Sequence, residues 1–514
     1  MQSPEELAVL RDDESRSGSL TKLGNTANQF ESKKVAGLRR IGIAATIASG
    51  IAARMYDCRY SFNGDEIFCV RATSRSFSYM IQAVISDRAH PPLYYLLLYA
   101  WVHVAGSSEV AVRLLSVLAS ALFLIVIAVI AGKLLKGFAA WFLLGICAID
   151  GFLVYYGQEA RPWAVSALCC SLSIWCLLRL EEHPERKSNK ILYAASCATV
   201  IYSHYLGLFF LIAQFIGAYL ARLRSRRQII SYGALGTATI IPWICVMGRE
   251  LMPSSLAPNI GWVPRPTSWE IPHLYMSVME AYSIHGTRYV IVVLTLLILS
   301  SLLVYRNHVS WSSTILFAFL AALPLAAAMV ISWHAAVSIW APRELVGPII
   351  AIFCLLALAL AAHQRSVALI LGSALIACSV AMLPAFLPHN TTPDWRFYAA
   401  AAKEMCPNCS IYTSTISEQI SLGYYSGQPV YAINTHLPGG ELRSLSYWLP
   451  NPPPPQSIPD HFVVMCTSSD CGVAADLLHQ GEVTAERSYK LPVSTYGTGT
   501  LNVFMVSNEK QSSL

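Results

Sequence analysis

Residues 111–132 read AVRLLSVLASALFLIVIAVIAG, a run whose one charge, Arg113, stands near its start. A helix of roughly 20 such residues crosses the hydrocarbon core of a bilayer, so this stretch is long enough to span and too apolar to face water. Comparable stretches recur at 41–56, 138–156, 161–180, 190–204, 206–222, 228–247, 287–305, 312–332, 345–362 and 366–387. They amount to about eleven transmembrane helices, the signature of an α-helical polytopic membrane protein. Composition agrees, because 55% of the 514 residues are hydrophobic and only 13% are charged. That charged share is about half of what a soluble domain carries to keep its surface wet.

The basic residues give the chain a direction. Lys133, Lys136, Arg179, Arg186, Lys187, Lys190, Arg222, Arg224, Arg226, Arg227, Arg306 and Arg365 all fall on one side of this arrangement, which the positive-inside rule makes cytoplasmic. Residues 1–37 are polar and lack an apolar run, so 41–56 reads as a signal anchor whose start is held inside by Arg39 and Arg40. Pro91 to Gly106 is apolar too, but inserting it would turn the later basic clusters outward. It is therefore laid along the outer face, where Tyr94, Tyr95, Tyr99, Trp101 and His103 suit the headgroup level. Ile67 to Ser86 is expected to lie on the bilayer as an amphipathic stretch, which makes the first outer loop a set of interfacial helices.

An odd number of spans places residues 388–514 outside. There the apolar runs shorten to strand length (Ser410 to Thr413, Pro429 to Ile433, His461 to Met465, Leu501 to Val506) and alternate with helix-like stretches. A small α/β domain is expected, with Asn451 to Pro455 as a proline-rich loop. The organisation is thus a cytoplasmic tail (1–37), a transmembrane domain (38–387) and an extracytoplasmic domain (388–514).

The net charge of +6 is spread over short loops and is not gathered with aromatics into a stripe, so no nucleic-acid partner is indicated. Of the 14 cysteines, eight lie in expected spans and the rest are Cys58, Cys69, Cys406, Cys409, Cys466 and Cys471. All six are expected on the outer side, where disulfides persist. A four-thiolate zinc site at Cys406, Cys409, Cys466 and Cys471 is the alternative, disfavoured by irregular spacing. Cys58 is expected to join Cys69 across the loop that carries Asp65 and Glu66.

Three polar groups stand where outer loops meet the membrane: Asn63-Gly64-Asp65-Glu66, His90-Pro91-Pro92-Leu93-Tyr94-Tyr95, and Tyr155-Tyr156-Gly157-Gln158-Glu159-Ala160-Arg161-Pro162-Trp163. Taken singly, each has a plain reading. Asp65 is a turn residue, Glu66 a first-turn acid that favours the helix dipole, His90 an interfacial histidine, and Glu159 with Arg161 a pair across a short turn. Asp150, inside a span, needs a partner or water.

Taken together, the three groups resemble the GT-C-type membrane glycosyltransferases that use polyprenyl-phosphate sugars, in the bacterial branch related to protein O-mannosyltransferases and to lipid A aminoarabinose and galacturonic acid transferases. Tyr202-Ser203-His204-Tyr205 and Ala341-Pro342-Arg343-Glu344 extend the resemblance over most of residues 40–390. Beyond that only Asp394-Trp395-Arg396 matches, and Asp150-Gly151 departs from the small-residue or proline pattern usual there.

The resemblance implies an integral protein of the bacterial cytoplasmic membrane, with its N-terminus inside and its C-terminal domain outside. It implies a polyprenyl-phosphate sugar as donor and an envelope lipid, glycan or protein as acceptor, with inversion by direct displacement. A phosphate departs without a proton, so one carboxylate base and cations for the departing charge suffice. By similarity Asp65 is the base, and Glu66 orients it or binds acceptor. Arg343, His90 and Arg161 are candidates for the phosphate, since a guanidinium holds two oxygens at once. His90 stands where some relatives place a lysine. Tyr155, Tyr156, Glu159 and His204 are expected to bind substrate, with Glu159 and His204 open to holding a divalent metal ion; no cofactor is certain. The alternative is a lipid or solute transporter or flippase. Such a protein places ionisable residues along the middle of its spans and often repeats itself. Here Asp150 is almost alone in a span, and the polar residues gather at one face.

Overall fold

The computed structural model describes residues 37–248, 261, 263–280, 286–434, 458–468, 471–479, 481–492 and 499–507. The expected proline-rich loop at Asn451 to Pro455 and nearly all of the N-terminal tail lie outside these residues. The described residues fall into two units, one up to Ser49 and a second from Gly50 onward. All packing described below belongs to the second.

Residues 37–55 are helical (α1). The chain continues through α2 (Gly64–Thr73), α3 (Phe77–Asp87), α4 (Leu93–Ala105), α5 (Glu109–Leu134), α6 (Phe138–Ile149), α7 (Gly151–Gln158), α8 (Trp163–Glu182), α9 (Lys187–Ser203), α10 (Gly207–Leu220), α11 (Arg226–Ala238) and α12 (Ile241–Met247). After these come α13 (Glu270–Glu280), α14 (Thr287–Val304), α15 (Trp311–His334), α16 (Val346–Ala362) and α17 (Arg365–Phe386). Among the described residues, six helices are long and apolar enough to cross a membrane, or seven if the bent pair α6–α7 is one span. The expected spans at 190–204, 206–222 and 345–362 appear as helices of 17, 14 and 17 residues. At 1.5 Å per residue these rise only about 21–26 Å, short of a ~30 Å hydrocarbon core. The chain is a helical polytopic membrane protein, and six or seven spans are what length and apolarity carry.

The stretch expected to form the first outer loop departs from that reading in two respects. Ile67 to Ser86 is not one amphipathic stretch but two helices, α2 and α3, parted at Ser74, and α2 is buried along most of its length. Helix α4, at 13 residues, is too short to span, as its interfacial reading requires, but Tyr94 and Tyr95 point into the protein and are buried.

The bend of 50° between α6 and α7 explains Asp150. A broken helix leaves carbonyls and N–H groups without partners, and inside a membrane each must be satisfied internally. Asp150 caps α7 by accepting from the Leu153 N–H (3.0 Å), while Arg54 donates to the carbonyls of Cys147 (3.1 Å) and Ala148 (2.7 Å) at the end of α6. Gly157 is needed where Arg54 passes, because a Cβ there would come within 2.6 Å of its Nε.

The C-terminal domain opens with α18 (Pro388–Thr391) and α19 (Trp395–Met405), followed by β1 (Ser410–Thr415), α20 (Ile416–Tyr425), β2 (Val430–Asn434), β3 (His461–Thr467), α21 (Ala475–His479), β4 (Glu482–Lys490) and β5 (Thr500–Ser507). The strands form one mixed sheet in the order β2-β1-β3-β5-β4, parallel at β1–β2 and β1–β3 and antiparallel at β3–β5 and β4–β5. Period-two alternation gives the sheet two buried faces. Ile411, Val463 and Met465 pack with Trp395 and Ala402 of α19, while Tyr412, Phe462 and Val464 pack on the other face towards α21.

Disulfides join Cys406 to Cys409 and Cys466 to Cys471, two of the bonds expected among the six cysteines that lie outside the spans. The expected Cys58–Cys69 bond is absent: both are free buried thiols. Cys58 Sγ lies against the Arg54 carbonyl (3.1 Å), and Cys69 faces Arg161 Nη1 (3.5 Å), because α2 carries Cys69 round to a different side.

Candidate active site

Asn63 starts α2. Its side chain accepts from the Glu66 N–H (2.9 Å) and the Glu66 carboxylate accepts from the Asn63 N–H (3.1 Å), a reciprocal capping box. This places Asp65 and Glu66 side by side in the first turn, where carboxylates favour the helix dipole, yet their surroundings differ sharply. Glu66 is buried and bound on all sides. Arg113 of α5 donates to it from Nε (2.8 Å) and Nη2 (2.6 Å), and the Ala160 N–H adds a third bond (2.9 Å). The same guanidinium grips the carbonyls of Cys58 (3.2 Å), Tyr60 and Ser61 (3.0 Å), clamping the loop that leads into α2.

Asp65 is about a quarter exposed, and its Oδ2 stands 3.1 Å from Nη1 of Arg343. Burial alone would raise its carboxyl, but the guanidinium charges of Arg161 and Arg343 overcome that and hold it below the ordinary value. It is a carboxylate at neutral pH.

Trp163 is the hub on the other side. Its indole N–H donates to Glu159 (2.8 Å), whose second oxygen accepts from the Asn63 side chain (2.8 Å). Glu159 and Arg161 do not form the local pair that a short turn suggests. Arg161 instead reaches the Asp65 carbonyl (3.4 Å), and both Arg161 and Arg343 stand within 5.8 and 5.9 Å of the Trp163 ring centroid. Burial, and next the charge of Glu66, push the Glu159 carboxyl up to about 7.

His90 and His204 complete the cluster, with ring centroids 5.5 Å apart and each edge-on or tilted to Trp163. Burial, reinforced by Arg161, pushes His90 well below its ordinary value. It faces the site as a neutral ring and not as a substitute for a lysine cation. Ligand atoms of His90, His204 and Glu344 all lie within 4.8 Å of one another, and both nitrogens of His90 are buried without a hydrogen bond. Two imidazoles and a carboxylate suit a divalent ion of the zinc type. His204 Nδ1 accepts from the Leu206 N–H (3.2 Å), which in the neutral ring leaves the proton on Nε2. Ligation through Nε2 therefore requires that proton to move and the Leu206 bond to break.

Beside Arg343 opens a cavity of about 410 Å³ lined by Phe152, Tyr155, Tyr156, Trp340 and Phe386, with Glu270 and His273 of α13 at its wall. A second, almost wholly apolar cavity of about 240 Å³ lies along Ile271, Leu274, Leu325, Ile349 and Phe353. Leu274 lines both.

The structure thus brings Asp65, His90, Arg161, His204 and Arg343 together around Trp163, sets Tyr155 and Tyr156 in the adjoining cavity, and holds Glu159 and Glu66 behind them. Sequence reading gave no role to Arg113, Trp163, Asp87 or Glu344. Trp163 and Glu344 stood inside the quoted motifs. Arg113 carried one signal, a lone charge in an otherwise apolar span. Asp87, whose Oδ2 is 4.0 Å from His90 Nδ1, carried none.

Residues 89–247 match the family model described as dolichyl-phosphate-mannose-protein mannosyltransferase. Among solved structures, the chain is similar to ArnT from Cupriavidus metallidurans bound to undecaprenyl phosphate, with a TM-score of 0.58 and 11% identity over 91% of this chain and 98% of that one. The same protein in the apo state gives 0.58 and 12% over 92% and 99%. No curated protein matches by sequence. The resemblance to GT-C-type membrane glycosyltransferases, and with it the expected enzyme class, is borne out by the family match and the fold together.

Proposed function

We propose that this glycosyltransferase moves a sugar from a polyprenyl-phosphate donor to an envelope lipid, glycan or protein on the outer face of the membrane, with Asp65 as base. The observation that carries this reading is the pairing of an accessible carboxylate, Asp65, with Arg343 at the edge of a cavity continued by an apolar one. A donor of this kind has the same two parts, a phosphosugar and a lipid tail. The undecaprenyl phosphate bound by the similar ArnT structure supports the assignment.

In the proposed reaction the acceptor hydroxyl attacks the anomeric carbon opposite the phosphate. The new carbon–oxygen bond forms as the bond to the phosphate oxygen breaks, its electron pair leaves on the phosphate, and the hydroxyl proton passes to Asp65. Inversion follows from the single displacement. Arg343 and Arg161 receive the phosphate charge, and Tyr155 and Tyr156 offer rings and hydroxyls to the sugar. Glu66 acts through its grip on Arg113 and Asn63, positioning α2. A divalent ion held by His90, His204 and Glu344 would supply further positive charge beside the departing phosphate.

The basic loops support an extracytoplasmic position for the C-terminal domain and Asp65. Reporter fusions at Gly106 and Lys136 test this, with exterior expected at the first and cytoplasm at the second. For the reaction, purified protein is given polyprenyl-phosphate sugars and an envelope extract, and free polyprenyl phosphate and glycosylated acceptor are followed by mass spectrometry. Release of polyprenyl phosphate matched by one added sugar is expected, and no release with any donor contradicts the proposal.

A further inference from the structure

The outer domain grips the approach to Asp65. The hydroxyl of Tyr425, the last residue of α20, accepts from the Phe62 N–H (2.7 Å) and donates to Glu109 Oε1 at the start of α5 (3.0 Å). Arg396 of α19 pairs with the same oxygen and also reaches the Arg59 carbonyl (3.3 Å). The amide that Tyr425 holds lies just before Asn63, the residue that caps the Asp65-bearing helix. Gly64, at the start of α2, lies near α20, where an added Cβ would sit in ordinary contact, 3.9 Å, with Ser417, Ile420 and Ser421.

Arg113 already holds the carbonyls of this loop, and the Tyr425 bond adds a hold on the Phe62 amide from α20. A loop held by both groups has little room to shift, and a base displaced by about an ångström loses much of its rate. Arg343 stands in a separate element, the turn Pro342–Glu344, so donor binding is expected to suffer less than turnover when this grip is lost.

We propose that Tyr425 is a positioning residue for Asp65, acting with Glu109 and Arg396, so that the outer domain is part of the catalytic apparatus and not only an appendage. This rests on Asp65 being the base. The test uses the full chain in lipid nanodiscs. Tyr425→Phe keeps the ring, 5.0 Å from Tyr424, and removes the hydroxyl. Turnover is expected to fall about tenfold with KM for the donor unchanged within about twofold. Backbone amide exchange at residues 62–66 is expected to quicken while that of the outer sheet does not. Glu109→Gln, which keeps an acceptor for both partners, is expected to retain most of the turnover that Glu109→Ala loses, and this pair leaves the outer domain untouched should Tyr425→Phe fold poorly. Wild-type turnover in both Tyr425→Phe and Glu109→Ala, or a fall with exchange unchanged at residues 62–66, overturns the proposal. Asp65→Asn, assayed alongside, separates the two readings. Full turnover in Asp65→Asn removes the base assignment, whereas an inactive Asp65→Asn beside a fully active Tyr425→Phe removes only the positioning role.

Discussion

Nη1 of Arg343 stands 3.1 Å from Oδ2 of Asp65, so the cation assigned to the donor phosphate is the partner of the assigned base. A phosphate held by Arg343 competes with Asp65 for the same guanidinium, which lets the carboxyl rise towards its ordinary value and become a better base as substrate arrives. The acid limb of kcat/KM, which reports the free enzyme, is therefore expected below that of kcat, which reports the complex. Arg343→Ala should raise the free-enzyme limb and cut kcat/KM by about 10- to 100-fold, the loss of one charge-assisted contact worth roughly 1.5–3 kcal/mol. PH-rate profiles of the two proteins check both.

Glu66 offers a contrast between neighbouring carboxylates. Glu66→Gln removes one partner of a buried ion pair and leaves Arg113 without its countercharge, a change that costs on the order of 3–5 kcal/mol. The expected outcome is a marked drop in thermal unfolding temperature and in folded yield, measured by size exclusion and a thermal scan. A well-folded but inactive Glu66→Gln would instead place Glu66 in the chemistry.

Asp87 is buried beside His90, and burial pushes its carboxyl up to about 7, with Arg161 pulling the other way. A carboxyl raised in the fold favours the folded state fully below its unfolded value of about 4, and that contribution is lost as pH rises through about 7. Asp87→Asn carries no such penalty. Its unfolding temperature relative to the unmutated chain is expected to improve between pH 5 and pH 8, and a difference flat with pH would mean Asp87 titrates as an ordinary carboxylate.

Peptide maps under non-reducing conditions should show Cys406 linked to Cys409 and Cys466 to Cys471, with Cys58 and Cys69 alkylated only after denaturation. A Cys58–Cys69 linkage in protein from its native membrane would contradict the placement of α2.

The membrane class and the C-terminal α/β domain were legible because bilayer thickness and strand alternation impose periods that a single sequence displays. The number of spans was less so, since α9, α10 and α16 are apolar but short, and length alone does not say whether such a helix crosses. At the candidate site, Asp65, His90, Arg161, His204 and Arg343 stood out in the sequence as motif residues, and the structure brings them together. The difference in surroundings between Asp65 and Glu66 was not legible. It depends on Arg113, 47 positions further on, which hides one carboxylate and leaves the other open. The Cys58–Cys69 expectation failed for a similar reason. Eleven residues of separation permit a bond, but the helix between them turns the two thiols towards Arg54 and Arg161. Asp150 was legible as anomalous but not as a cap, because its role exists only where α6 breaks.

The most direct measurement is single-turnover transfer by Asp65→Asn in lipid, with donor binding measured separately. Asparagine keeps the size and much of the hydrogen bonding of Asp65 but does not take up the acceptor's proton. Turnover lower by about 100-fold or more, with donor affinity retained and the protein folded, is expected of a general base. Near-normal turnover in the folded variant would contradict the assignment of Asp65 as the base and direct attention to Glu159.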